Sequence, residues 1–473
     1  MKKWTRAFLC ACCCVTLLFG AVGCKTISAY DIAVKHGFVG TEEEWLQSLQ
    51  GADGQDGQNG QDLTASTLYE SAKENGYTGT YLQFCQDVLK IDAYLNNDLD
   101  KIAKNVTSVV SIYCGFSQTA YYGGIGGWGG IIGGTPQKSY YASAGSGVVI
   151  DVDKEKGDAL IVTNYHVIYD SKNDTADGIS SSIYLYTYGA YNGFSLQTTG
   201  YADVHGDGIK AEYVGGAMDY DIAILKIENS EYIKKALVSE VTIADSDTLR
   251  LGEKVYAIGN PDGAGIAVTE GIVSVESEYI TMSSTDGSNN VVDYRVIRTD
   301  APINGGNSGG ALFNAVGELV GIVNAKNVSE EVDNMGYALP STHVYNLAEN
   351  ILYNQKKGEK GARVATLGIV TKITSSHAYL DENGALRIQE EVSVAKMAQN
   401  GAATKLLAVG DVIKEIKINK GEWFALSRQY QLLDRLLTIR PGDTAEIKLL
   451  RDGTEMTVKV TFEDNNSHFT KYN

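Results

Sequence analysis

The sequence predicts a mainly β chain, with a small helical region in front and a smaller domain behind. Two observations predict it. From Gly145 to Asn324, short alternating or apolar runs recur, each bounded by Gly, Asn or Asp. Such a series suits two six-stranded barrels with a cleft between them. The 473 residues are also 44% apolar and 21% charged, which is material for two or three packed domains. The expected divisions fall at residues 1–24, 25–105, 106–357 and 358–465.

The chemistry centres on Thr299–Gly310, where Ser308 sits among Gly305, Gly306, Gly309 and Gly310. Acyl transfer needs a hydroxyl exposed on a tight turn, with backbone N–H groups converging where an oxyanion forms. Glycine permits positive φ and close approach of a substrate backbone. A serine also needs a base, and the base needs an orienting carboxylate. There are six histidines, and His166 stands out because it follows the apolar run Ala159–Thr163, a strand entering a turn or short helix. Asp221 opens the apolar strand Asp221–Ile227, and Asp219 is the rival carboxylate two residues earlier. Each residue alone has a plain structural reading as a satisfied core histidine, a strand cap or a flexible loop. The chain order His166, Asp221, Ser308 is that of the chymotrypsin-type clan.

Further motifs agree with that order. Gly145–Ile150, Thr163–Val167, Asp221–Ala223, Ile258–Pro261, Val268–Ser274, Gly317–Asn324 and Gly336–Pro340, with the Ser308 loop, resemble the HtrA/DegP family of serine proteases. Gly305 stands where that family usually carries proline, which should loosen the loop slightly. The resemblance implies a chymotrypsin-like double β-barrel over 106–357 with a Ser308–His166–Asp221 triad. The oxyanion hole would then be formed by the N–H groups of Gly306, Asn307 and Ser308. Ala301-Pro302-Ile303 carries no charge where a trypsin-like enzyme would place an acid, so by analogy the P1 preference is aliphatic. After a helix from Ser341 to about Lys357, the Lys/Gly-rich Lys356–Gly361 leads into a domain resembling PDZ. Its carboxylate-binding loop would be Leu367, Gly368 and Ile369, and the helix through Leu432, Leu433, Leu436 and Leu437 would wall the groove. Such domains take peptide C-termini by strand addition.

What the resemblance implies is an ATP-independent endopeptidase for misfolded or damaged exported proteins, assembled as a homotrimer. A surface binding or chaperone-like scaffold with little proteolysis is the alternative. A net charge of −18 argues against nucleic acid as a partner. Few histidines and cysteines leave no zinc-ligand spacing, and no metal or cofactor is expected.

Residues 1–24 read as a targeting segment, with basic Met1–Arg6, an apolar stretch to Gly23, and then Cys24. Ala21-Val22-Gly23-Cys24 resembles the bacterial lipobox, which would make Cys24 a lipid attachment point on the outer face of the cell membrane. An uncleaved anchor is the alternative. Cys85 and Cys114 are either bridged or two free thiols. Tyr30–Thr41 aligns with Tyr69–Thr80 at an offset of 39, each unit reading as helix, glycine cap and second helix. Gly51–Gly60, with glycine every third residue, reads as a flexible spacer, and the repeats as a stalk or a cell-wall contact. The Gly-rich Tyr121–Thr135 is a loop, regulatory or passive.

Overall fold

The computed structural model describes residues 34, 39–41, 65–78, 84, 98–122, 135–196, 202–288, 290–324, 335–382 and 384–472. Cys24, Cys85, the Gly51–Gly60 spacer, most of the first repeat and residues 123–134 lie outside them. The chain divides into two units, Met1–Asp92 and Ala93–Asn473.

In the first unit, helix α1 (Ala65–Glu74) ends as the repeat pattern requires. Gly76 takes φ 93°, its N–H donates to Lys73 O (3.0 Å), and Tyr77 N–H donates to Ala72 O (2.9 Å). This pair of bonds is a Schellman close, which satisfies the last carbonyls through a left-handed residue. Tyr69, Tyr77 and Phe84 pack around it with ring centroids 5.6–6.4 Å apart.

The second unit begins with helix α2 (Asp98–Asn105) and then a seven-stranded sheet. Its strands come from β1 (Val109–Tyr122), β2 (Thr135–Asp153), β3 (Asp158–Thr163), β4 (Ser182–Tyr186), β7 (Ile209–Lys210), β8 (Glu212–Ala217) and β9 (Ile222–Ile227). The order is β7-β4-β1-β2-β3-β9-β8. The long segment between His166 and Asp221 supplies the extra strand β7 beyond the six expected. It also supplies a separate hairpin of β5 (Asn192–Leu196) and β6 (Ala202–Gly206), and just before it stands the short helix α3 (Tyr165–Ile168). Inward residues such as Ile112, Ile161, Leu185 and Leu225 form the core of this half, each about 1.5–3 kcal/mol of burial.

After helix α4 (Glu231–Lys235) comes a closed barrel, β10 (Lys254–Gly259), β11 (Ala267–Ser283), β12 (Val291–Thr299), β15 (Gly336–Pro340), β14 (Leu319–Asn324) and β13 (Ala311–Asn314), in that order. A shared cluster joins the two halves, packing Val148, Ile222 and Ile224 against Ile258, Phe313 and Ile322. Helix α5 (Ser341–Gln355) closes this seam with Leu347 and Ile351.

The C-terminal module pairs β16 (Ala362–Ala365) with β23 (Phe469–Tyr472), so its ladder runs past residue 465. Its main sheet runs β17 (Ile369–Leu380), β18 (Leu386–Met397), β19 (Val412–Ile418), β21 (Thr444–Arg451) and β22 (Thr454–Thr461). Strand β20 (Phe424–Ala425) pairs β19, and helix α6 (Gln429–Thr438) covers the sheet with Leu432 and Leu436, while its Leu437 packs into the cluster that joins the protease halves. Leu433 faces outward at 48% exposure. The linker is not free of the protease body: Gly216 N–H donates to Lys360 O (2.8 Å), and Asn350 Nδ2 donates to the Arg363 and Leu437 carbonyls.

Candidate active site

His166 and Asp221 arrive from adjacent strand ends in the first half. Strand β3 delivers Asn164, whose extended backbone opens α3, and His166 is the second residue of that single turn. Strand β9 starts at Ile222, and Asp221 before it takes φ 52°, a left-handed conformation that a short polar side chain tolerates. That turn aims the fully buried Asp221 carboxylate at the histidine. His166 Nδ1 lies 2.7 Å from Asp221 Oδ2, and the His166 backbone N–H donates to Oδ1 at 2.9 Å. Both oxygens are therefore used on one residue, which fixes the ring orientation and favours the tautomer with a proton on Nδ1. Asp219 lies in the preceding turn and lines a different cavity, so Asp221 is the carboxylate beside His166.

Two residues to which the sequence assigned no role also bond to Asp221. Asn324 Nδ2 donates to Asp221 Oδ2 (3.0 Å), and Asn164 Nδ2 donates to the Asp221 carbonyl (3.0 Å). Both asparagines are buried. The available signal was Asn324 itself, an amide closing the run Leu319–Val323 on a strand whose six residues are all buried.

Ser308 comes from the loop between β12 and β13 in the second half. Ser146 of β2 fastens that loop across the seam. Its N–H donates to Ser308 O (2.8 Å), its Oγ donates to Gly306 O (2.7 Å), and the same Oγ accepts from Asn260 N–H (2.8 Å). Gly309 has φ 82°, and a Cβ there would overlap the Ser146 carbonyl oxygen, so glycine is required at that position. Of the expected oxyanion donors, the Asn307 N–H donates within the loop to Asn304 O (3.1 Å). Ala301 and Ile303 pack into the barrel core beside Leu312 and Val323.

Comparison with known proteins places the chain in a family. A family model described as a trypsin-like peptidase domain matches residues 145–322. The serine protease Do-like HtrA of Lactococcus lactis subsp. cremoris is 30% identical over 414 residues, covering 85% of this chain and 90% of that one. The chain belongs to the HtrA/DegP family of serine proteases. Its activity class is that of a serine endopeptidase. Escherichia coli DegP, a periplasmic serine endoprotease, is 33% identical to this chain over 350 residues, covering 72% of this chain and 61% of DegP. Among solved structures, the HtrA-type protease AlgW with decapeptide shares 25% identity, covering 77% of this chain and 98% of that chain, at TM-score 0.46. Among the described residues no cluster suited to a metal ion occurs and no helix is long and apolar enough to cross a membrane.

Proposed function

We propose that this HtrA-family chain is an exported, membrane-tethered, ATP-independent endopeptidase that cleaves misfolded or damaged exported proteins. In this reading Ser308 Oγ attacks the scissile carbonyl, His166 Nε2 takes its proton and later returns it to the leaving amine. Asp221 holds the imidazole and stabilises its charged form. The Gly306 and Ser308 N–H groups receive the oxyanion, the Asn307 amide being committed within the loop. The single observation that carries the reading is the 2.7 Å His166–Asp221 bond, with both carboxylate oxygens used on His166. The uncharged Ala301-Pro302-Ile303 supports an aliphatic P1 preference. Residues 358–472 act as the PDZ-type module, with Leu367, Gly368 and Ile369 receiving the carboxylate of a peptide C-terminus. Gly368 (φ 77°) makes the turn that leads into the edge strand β17 and supports this assignment.

One mass-spectrometric experiment on protein extracted from membranes tests the nucleophile, the tether and the assembly together. After treatment with a fluorophosphonate, peptide mapping is expected to place a single adduct on Ser308 and a diacylglycerol on Cys24 as the new N-terminus. Native mass should correspond to three copies. An adduct elsewhere, an unmodified Cys24, or a monomeric mass would each sink the corresponding part.

A further inference from the structure

A cavity of 940 Å³ lies between the C-terminal module and the second barrel of the protease. One wall is the groove between the start of β17 and helix α6, with Leu367, Ile369, Leu433 and Leu436. Strand β17 ends its sheet, so its outer edge presents unpaired backbone groups to this space. Gln429 Nε2 donates to Thr371 Oγ1 (2.8 Å) and ties helix to strand beside the groove. The opposite wall belongs to the protease: Val291 and Asp293 on β12, with Asp286 in the turn before it. Leu433 and Val291, one from each wall, are 48% and 66% exposed.

The charge of this lining is one-sided. Its two basic residues, Arg295 and His343, are already held by Asp434, and Arg295 also by Asp247. Asp219, Asp286 and Asp293 also line the space, and among the described residues none of them is ion-paired to Lys or Arg. Asp293 instead accepts from Thr281 Oγ1 (2.6 Å), and Asp286 from the Ser288 N–H (2.8 Å). A peptide added to β17 with its carboxylate at Leu367–Ile369 places its last side chain against the leucines. Side chains alternate along a strand, so the residues before it face the protease wall in turn.

We infer that this two-walled site selects peptide C-termini that end in an apolar residue and carry Lys or Arg within the preceding few positions. The inference rests on the proposed peptide-capturing role of Leu367, Gly368 and Ile369, and adds to it a charge requirement set by the protease domain. Pairing those cations with Asp286 and Asp293 supplies the complementarity that an apolar groove alone lacks.

The test uses the full chain carrying Ser308→Ala, so that the peptide survives, and fluorescence anisotropy with labelled decapeptides ending in valine. One peptide has two lysines upstream, one has two glutamates there, and each is also made with an amidated C-terminus. The lysine peptide is expected to bind at least tenfold tighter than the glutamate peptide. In Asp286→Asn/Asp293→Asn that preference should fall to about twofold or less, although most of the chain's overall negative charge remains. Equal binding of the two free-carboxylate peptides, or a preference unchanged in the double variant, would overturn the charge requirement while leaving C-terminal capture standing. Binding that does not respond to amidation would overturn C-terminal capture, and the inference with it.

Discussion

Replacing Asp221 with asparagine is expected to lower the rate of peptide cleavage by roughly 10⁴-fold with the fold intact, the magnitude typical of a mis-set imidazole tautomer in such triads. The reason is local. Asp221 Oδ2 faces two groups, His166 Nδ1 and Asn324 Nδ2, and Oδ1 faces the His166 backbone N–H. An asparagine must put its NH₂ in one of these places. At the Oδ2 position the NH₂ opposes the Asn324 amide and forces His166 to accept at Nδ1. The proton then sits on Nε2, the nitrogen that must take the Ser308 proton. At the Oδ1 position it opposes a backbone donor with no freedom to turn. Each orientation leaves donors facing one another in a buried site, which is unfavourable by about 1–3 kcal/mol besides the catalytic loss. Single-turnover rates on a fluorogenic peptide, beside circular dichroism of the variant, check this. A loss below tenfold would remove Asp221 from its assigned role.

Asp434→Ala is expected to release the C-terminal module from the protease body. Asp434 in α6 meets both Arg295 of β12 and His343 of α5, the latter at 2.6 Å. Arg295 is 5% exposed, stacks over the Tyr430 ring at 3.4 Å from its centroid, and also holds Asp247 and Ser277. Buried charges of this kind add little when complete, but removing one partner strands the rest and costs about 3–5 kcal/mol. Calorimetry should then resolve two transitions where the parent chain shows one, and limited proteolysis should open the Lys356–Gly361 linker. An unchanged single transition would contradict the account. Acid should weaken the same contact. Burial alone would raise the Asp434 carboxyl, but His343 and Arg295 outweigh it and hold the group below the usual carboxylate range. A depressed folded-state pKa gives stability that is fully present above the unfolded value of about 3.9 and is lost as pH falls through the folded one. Asp247 moves the other way, raised by burial despite Arg295, and so partly offsets that loss. The Asp434 share of the acid dependence should vanish in Asp434→Asn.

How much of this was legible in the sequence depends on how local the signal is. Ser308 among glycines, His166 after an apolar strand and Asp221 before another are short-range patterns, and the strands containing or flanking them form where expected. The glycine close of the second repeat at Gly76 was equally readable, because a Schellman turn lies within six residues. The Asn324 contact with Asp221 spans 103 positions, and Ser146 reaches Gly306 across 160, so no window of sequence contains either. The seventh strand and the Asn307 amide depend on the geometry of one long insertion and one turn. The interdomain cluster was the least visible. Arg295, Asp247, Asp434 and His343 are ordinary surface residue types by composition, and they meet only where the C-terminal module packs on the protease body, with Arg295 and Asp434 buried there.

Casein digestion by the full chain beside Ser308→Ala decides whether Ser308 is the nucleophile of an active protease. Fragments should accumulate with the parent chain, and none above background with the variant. Equal digestion by both would mean another nucleophile or a contaminant. Inactivity of both, even with hydrophobic C-terminal peptides added, would rule out an active protease and favour a binding scaffold.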